Sequence, residues 1–370
     1  MLTIGLMSGT SMDAVDVAVV EFSPGQCDLI SYHQFPIPDL LQSELKAVTP
    51  DTSISLLMRL DADLGDLFAA CVTETMKTHG LNAAKVGVIG SHGQTMLHVP
   101  NSPSRNSLQI GDPNRIAWAT KIRTVADFRR MDMAAGGQGA PLAPAFHAWR
   151  FRSPRLRRVI INIGGIANIS ILPPQGKSVV SGFDTGPGNA LLDQWIMRHQ
   201  GKPWDAGGTW AATGTPNPEL LAALESESYF SQAPPKSTGR DLFNLEWLEQ
   251  QGRAFIRKLA PADVQATLLE FTACTIANAI KTHAPHCDEA YVCGGGAHNK
   301  RLMVRLNDLL APAKVASTDI LGIQPNAVEA IMMAWLAWYR VEGMGANLPS
   351  VTGASAEVIL GAVYEPRGKS

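Results

Sequence analysis

The sequence predicts an α/β protein of two lobes, and three observations carry that prediction: two separate strand, glycine-turn, strand openings; strands that alternate with helical patterns; and a length of 370 residues. A chain of that length exceeds one ordinary core, and with 45% hydrophobic residues it has apolar material for two.

At the amino end Leu2, Ile4 and Leu6 share one face, the pattern breaks at Met7-Ser8-Gly9-Thr10-Ser11-Met12-Asp13, and alternation resumes through Val15, Val17 and Val19. Period two on either side of a polar glycine turn predicts strand, turn, strand. The same plan recurs past the midpoint, where Val159–Ile163 runs into Gly164-Gly165-Ile166-Ala167-Asn168 and out through Ile169–Leu172. Between these openings the apolar spacing predicts a helix from Ile54 to His79. A short strand, Val86–Gly90, then delivers the polar turn Ser91-His92-Gly93-Gln94-Thr95. Alternation of this kind is the mark of an α/β lobe. Farther on, Ala190–Gln200 reads as a helix introduced by Asn189 and stopped at Gly201, and Pro261–His283 as a long apolar helix. A strand, Ala290–Cys293, ends in Gly294-Gly295-Gly296 ahead of the amphipathic helix Asn299–Leu310, and a last helix covers Ala327–Glu342. The Gly- and Pro-rich stretch Ala134–Pro141 is the expected border and hinge between lobes.

A formal net charge of −2 supplies no field to gather nucleic acid or anionic lipid, so the expected partner is a small molecule. The basic run Trp149–Arg158 is short, contains Pro154 and leads straight into a core strand, which reads as a solvated connector. Five scattered cysteines suit buried thiols in a reducing compartment. No basic segment precedes an apolar stretch at Met1-Leu2-Thr3-Ile4-Gly5, and no apolar run is long enough to span a bilayer, so a cytoplasmic protein is expected.

A nucleoside triphosphate needs backbone N–H groups aimed at its oxygens with no side chain in the way. Three turns offer that: Gly9–Asp13, Asp184-Thr185-Gly186-Pro187-Gly188-Asn189, and Gly294-Gly295-Gly296-Ala297-His298-Asn299. Two carry an Asp beside the turn, as a magnesium-bound triphosphate requires, and the third joins a strand to a helix, where adenosine can pack on glycine backbone. Neither G-x-x-x-x-G-K-[ST] nor a strand-linked G-x-G-x-x-G occurs, and the tail Arg367-Gly368-Lys369-Ser370 lacks the upstream glycine.

Taken in order, Met7–Asp16, Ser91–Thr95, Gly136-Gly137-Gln138-Gly139-Ala140-Pro141, Phe183–Asn189, Pro235-Lys236-Ser237-Thr238-Gly239-Arg240, Val292–Gly296 and Asn347–Ala354 resemble the signature of the anhydro-N-acetylmuramic acid kinases. The likeness runs over essentially the whole chain. Ala14 departs from it where glycine is expected, a change one methyl group allows if φ is negative.

The resemblance implies the superfamily of acetate kinase, hexokinase, heat-shock chaperones and actin. That is a two-lobed, actin-like ATPase fold, a ribonuclease H-like unit duplicated, with ATP in a central interdomain cleft. Because actin-like chains cross over twice, the expected lobes are residues 1–133 plus about 340–370, with sugar and phosphate contacts, and 134–339, with the catalytic aspartate and the adenosine and phosphate contacts. The implied reaction uses ATP and water to convert 1,6-anhydro-N-acetylmuramic acid to N-acetylmuramic acid 6-phosphate and ADP, in recycling of the bacterial cell wall and amino sugar catabolism. A homodimer is implied as well.

Such a reaction needs a carboxylate base for water at C1, and a phosphate held in line with O6 by Mg2+ and backbone donors. Asp184 matches the family's catalytic aspartate; as a bare residue it would equally cap its turn or hold magnesium through water. Gly9, Thr10, Ser11, Met12, Asp13, Ala14, Val15 and Asp16 form the implied phosphate segment, with Asp13 on the metal; Asp16 is either part of it or a solvent-facing strand residue. Gly186, Gly188, Gly294, Gly295, Gly296 and Asn299 complete the nucleotide site. His92 and Gln94 leave a strand end where substrates are met, and Arg129 or Arg130 would take the sugar's lactyl carboxylate. Glu329 is a sugar contact by resemblance and a helix cap by its spacing from Asn326. Lys236 and Arg240 meet phosphate or pin their loop. Two other functions stand beside this one: another kinase of the superfamily acting on a hexose, and a non-kinase ATPase clamp, for which the sequence offers no peptide-binding segment.

Overall fold

A computed structural model describes every residue except Thr10, Lys177, Arg240 and 367–370. It divides into two compact units, Met1–Arg150 with Ala327–Ser370, and Phe151–Asn326.

The first unit opens with an antiparallel meander, β1 (Leu2–Ser8), β2 (Ala14–Ser23) and β3 (Gln26–Pro36). Helices α1 (Asp39–Lys46) and α2 (Ile54–Thr78) lead to β4 (Val86–Ser91), which pairs parallel with β1. A two-stranded ribbon, β5 (Gln94–Val99) and β6 (Asn106–Ile110), and α3 (Pro113–Thr120) precede β7 (Thr124–Ala126), which pairs parallel with β4. Two further helices follow, α4 (Arg130–Ala134) and α5 (Ala143–Phe151).

The second unit repeats the meander in β8 (Arg158–Ile163), β9 (Ile166–Leu172) and β10 (Ser181–Pro187). Then come α6 (Ala190–Gln200), α7 (Pro218–Glu225), α8 (Leu245–Gln251), α9 (Pro261–His283), β11 (Glu289–Cys293), α10 (Lys300–Leu310) and β12 (Lys314–Ser317). β11 pairs parallel with both β8 and β12. The chain returns to the first unit through α11 (Val328–Val341), α12 (Pro349–Thr352) and β13 (Ala362–Tyr364), which pairs with β7.

Both sheets therefore place their first strand between the second and the fourth, in the orders β13-β7-β4-β1-β2-β3 and β10-β9-β8-β11-β12. Three antiparallel strands followed by two parallel ones, made twice, are the duplicated ribonuclease H-like plan expected of an actin-like chain. The two openings read from the sequence are the β1–β2 and β8–β9 hairpins.

Apolar periodicity explains each core. On α2, Leu60, Leu64, Phe68 and Val72 recur at four-residue spacing and meet Ile4, Leu6, Val15, Val17 and Val19 of the sheet. The other face of that sheet takes α11, made possible by two glycines in register, Gly5 opposite Gly90. A Cβ on Gly5 would lie 1.8 Å from the Ala330 carbonyl oxygen, and one on Gly90 2.0 Å from that of Met333. The helix backbone thus rests directly on the strands. In the second unit Val159, Ile161 and Ile163 of β8 pack with Val264, Leu268, Phe271 and Ile276 of α9.

Most expected elements appear within a residue or two, but three expectations need correction. Residues 134–141 lie inside the first unit, because their backbone is tied to Asp132 and Thr352; the two unit borders fall after Arg150 and after Asn326 rather than at 133/134 and 339/340. Asn189 stands at the N-cap of α6 as expected, but its side chain makes no cap bond: its Nδ2 donates to the Ile163 carbonyl at 3.2 Å instead. Glu329 is no capping-box partner, since the N-cap of α11 is Ala327, which makes no side-chain cap bond, and the Asn326 side chain takes a hydrogen bond from His298 Nε2 at 3.1 Å.

Candidate functional site

In the first unit the expected ligand contacts gather at the carboxyl ends of β1 and β4, a common binding address in open α/β sheets. β1 ends at Ser8, whose Oγ donates to Gln94 Oε1 at 2.6 Å, both side chains being buried. β4 delivers His92 into a turn that Gly93 closes at φ +72°, where a Cβ would lie 2.7 Å from the Ile110 carbonyl oxygen. His92 Nδ1 is 2.8 Å from the Gly93 carbonyl, and its Nε2 is 2.8 Å from Arg129 Nη2. A carbonyl only accepts and a guanidinium only donates, so the imidazole is neutral with its proton on Nδ1. Burial first, and then the charge of Arg129, pull it down to about 3, which removes His92 as a neutral-pH acid or base. It holds Arg129.

Arg129 also donates from Nη1 to the Gly139 carbonyl at 2.9 Å, and its Nε is buried with no hydrogen-bond partner among the described residues. Burial lowers the guanidinium to about 10 while nearby Glu329 acts against that shift, so it stays charged. Arg130 is exposed, and its Nε and Nη2 are spent on Asp127 at 2.8 and 2.6 Å. Of the two arginines left open by the sequence, only Arg129 is desolvated and beside His92.

Between β1 and β2 the loop turns at Gly9, whose carbonyl accepts from the Met12 N–H at 3.1 Å, with Met12 at φ +55°. Ser11 Oγ donates to the exposed carboxylate of Asp13; Thr10 lies outside the described residues. Ala14 and Val15 are buried in β2, the latter fully, so these side chains pack the sheet. Asp16 accepts from the Tyr32 hydroxyl and, at 3.2 Å, from Gln34 Nε2. Burial pushes the Asp16 carboxyl up to about 6, against those two hydrogen bonds and with some help from Asp13. The Tyr32 phenol is pushed up too, by burial first and then by the charges of Asp16, Glu329 and Asp13.

In the second unit Asp184 stands in β10 opposite Asn168, beside an irregularity between Asp184 and Gly186. Its neighbours Phe183 and Thr185 are buried while Asp184 keeps some exposure. Three contacts from one loop hold it: the Thr238 N–H donates to Oδ2 at 3.0 Å, the Lys236 carbonyl accepts its N–H at 3.2 Å, and the Tyr229 hydroxyl donates to its carbonyl at 2.6 Å. Desolvation raises the carboxyl to about 6 despite the Thr238 hydrogen bond. A carboxylate so poised is ionised at pH 7 and more basic than a free one. Lys236 Nζ donates to the carbonyls of Tyr229 and Phe230 at 3.1 and 3.4 Å, so Lys236 pins this loop; Arg240 lies outside the described residues.

The glycine turns of this unit interlock. N–H groups of Gly188 and Ala190 donate to Gly165 O at 2.9 and 3.1 Å, and that of Asn189 to Gly164 O at 2.8 Å. These donors, read from the sequence as a phosphate cradle, are spent on the neighbouring turn, and the glycine at 188 serves close approach: a Cβ there would lie 2.4 Å from Gly164 O. Gly186, at φ +140°, fits under Phe230. Gly294 and Gly296 press against Asn162 and Ile163, and Gly295 lies beside Asn189. Asn299 caps α10 through the Leu302 N–H at 3.1 Å and backs onto Gly208. Sequence reading missed Tyr32, Tyr229 and Asp132, none of which sits in a glycine turn or repeats with a period.

No helix among the described residues is long and apolar enough to cross a membrane. A family model described as anhydro-N-acetylmuramic acid kinase matches residues 1–366. Proteins of that name from Shewanella woodyi and Shewanella pealeana are 49% and 50% identical to this chain, each over 98% of both sequences. One from Coxiella burnetii is 47% identical over 98% of this chain and 96% of its own. A solved ROK family glucokinase from Streptomyces griseus aligns with 91% of this chain and 99% of its own at 14% identity, with a TM-score of 0.42.

Proposed function

This chain belongs to the anhydro-N-acetylmuramic acid kinase family, and on that premise we propose that it opens 1,6-anhydro-N-acetylmuramic acid with water and phosphorylates O6 from ATP. The products are N-acetylmuramic acid 6-phosphate and ADP, and the setting is cytoplasmic recycling of cell-wall sugar. Asp184 accepts a proton from water as the water oxygen bonds to C1; the C1–O6 bond breaks, and O6 takes the γ-phosphoryl group. The observation that carries this reading is the Asp184 carboxyl itself, held by the Thr238 N–H and raised to about 6 by desolvation.

Arg129 binds the lactyl carboxylate, and Gln94 and Glu329 supply sugar hydrogen bonds. The loop Gly9–Asp13 and the turns around Gly186 and Gly294–Gly296 carry the nucleotide. Mg2+ fits Asp13 with Asp16 close by: hard oxygen donors are present, and no cluster of three or more acidic, His or Cys ligands forms a cage among the described residues. One or two carboxylates suffice for an ion that also binds phosphates, whose charge it neutralises.

The test is a mass-spectrometric assay with ATP and the anhydro-sugar in heavy-oxygen water. One heavy oxygen must appear at C1 of the phosphorylated product; phosphorylation without it would point to an ordinary hexose kinase. Sedimentation of the same preparation tests the homodimer that the family resemblance suggests.

A further inference from the structure

We propose that the buried Asp132 is a positioning residue for carboxylate recognition: with Asn347 and Thr352 it anchors Gly139 by its N–H, and the Gly139 carbonyl, in the next peptide plane, holds the Arg129 guanidinium. The inference rests on the reading that Arg129 takes the substrate's carboxylate.

Asp132 is 0% exposed, and both its oxygens accept hydrogen bonds. Oδ1 accepts from Asn347 Nδ2 and from Thr352 Oγ1, each at 2.7 Å, and Oδ2 accepts from the Gly139 N–H at 2.7 Å. Its main-chain carbonyl takes the Gly137 N–H at 2.9 Å, and the Gln138 N–H goes to the Thr352 carbonyl at 2.8 Å. One carboxylate therefore joins two motifs that lie more than two hundred residues apart, Gly136–Pro141 and Asn347–Ala354.

The glycines follow from that carboxylate. A Cβ on Gly137 would lie 2.2 Å from Asp132 Oδ2, and Gly139 sits at φ +69°. With its N–H on Asp132, Gly139 is anchored on one side, and at φ +69° it presents the carbonyl of the following peptide to Arg129 Nη1 at 2.9 Å while Nη2 meets His92. Two fixed acceptors on two different nitrogens define the plane of a guanidinium. Three N–H donors are left over, the buried Nε among them, for a planar anion.

Thr352→Val keeps the shape of the core and removes one donor to Asp132; Thr352→Ser keeps the donor. Binding of 1,6-anhydro-N-acetylmuramic acid and of 1,6-anhydro-N-acetylglucosamine, the same sugar without the lactyl group, is measured by calorimetry on the full chain. Wild type is expected to prefer the acidic sugar. Thr352→Val should cost the acidic sugar about tenfold in affinity and the neutral one less than about twofold, with kcat lowered less than about threefold. Thr352→Ser should restore the preference. In Arg129→Ala the preference is already gone, so adding Thr352→Val should cost nothing more.

Equal losses for both sugars, or losses that add in the double variant, overturn the positioning role. A wild type that binds both sugars alike overturns the carboxylate reading beneath it, and with it this proposal. A wild type that binds neither overturns the proposed function as well.

Discussion

Asp184 carries the sharpest consequences at the scale of single residues. Its replacement by Asn should lower kcat about a thousandfold while ATP affinity stays within about twofold, as read by single-turnover kinetics and titration. A base must be deprotonated to act, so wild-type kcat/KM should fall as pH drops through about 6. Asp16 is also raised to about 6, so the decisive comparison is Asp16→Asn, which should keep the acid limb if Asp184 is the base. Stability runs the other way. The folded carboxyl holds its proton more tightly than the unfolded one, so wild type loses stability as pH rises from about 4 to about 6. Asp184→Asn should therefore melt above wild type at pH 7, with the gap closing below about pH 4, and calorimetry showing the reverse order would remove desolvation as the cause. For the arginine pair, Arg129→Ala should raise KM for the acidic sugar about thirtyfold, and Arg130→Ala, which breaks only an exposed ion pair, less than about twofold.

At the scale of elements, the position of α11 depends on two missing side chains. Gly5 and Gly90 let the helix backbone reach β1 and β4, and a methyl at either would have to displace it. Gly90→Ala should cost about 3 kcal/mol or more, read from the urea midpoint. Gly80→Ala, with nothing within 4 Å of its Cβ but φ +60°, should cost about 1 kcal/mol from backbone strain alone. A Gly90 variant as stable as the Gly80 one would mean that the helix can ride higher without loss. If Glu329, in the first turn of α11, meets the sugar as proposed, a displaced helix should also weaken sugar binding.

At the scale of the whole molecule, the second unit is one continuous stretch with its own core, whereas the first is made from both ends of the chain. Residues 151–326 expressed alone should fold and unfold cooperatively by circular dichroism, because β8, β11 and α9 complete that core without help. The fragment should show no kinase activity if the residues proposed to meet the sugar, His92, Arg129 and Glu329 of the other unit, are needed for it. A non-cooperative melt would show that the second unit relies on the first for its stability.

Local pattern was sufficient for much of this protein. Period-two valines, the four-residue stripe of α2, the mostly apolar run of α9 and the αL glycine after α6 are each local patterns along the chain, and so were legible. Asp184, His92 and the pair Arg129–Arg130 could be put forward as candidates because they stand in glycine turns or beside strand ends. The sequence could not say that the N–H groups of Gly188 and Asn189 are already spent, that Arg129 rather than Arg130 is the desolvated partner of His92, or that Asp132 joins two distant motifs. Those facts concern which donor meets which acceptor across long separations. Periodicity chooses the face a side chain occupies, but only the folded packing chooses its partner.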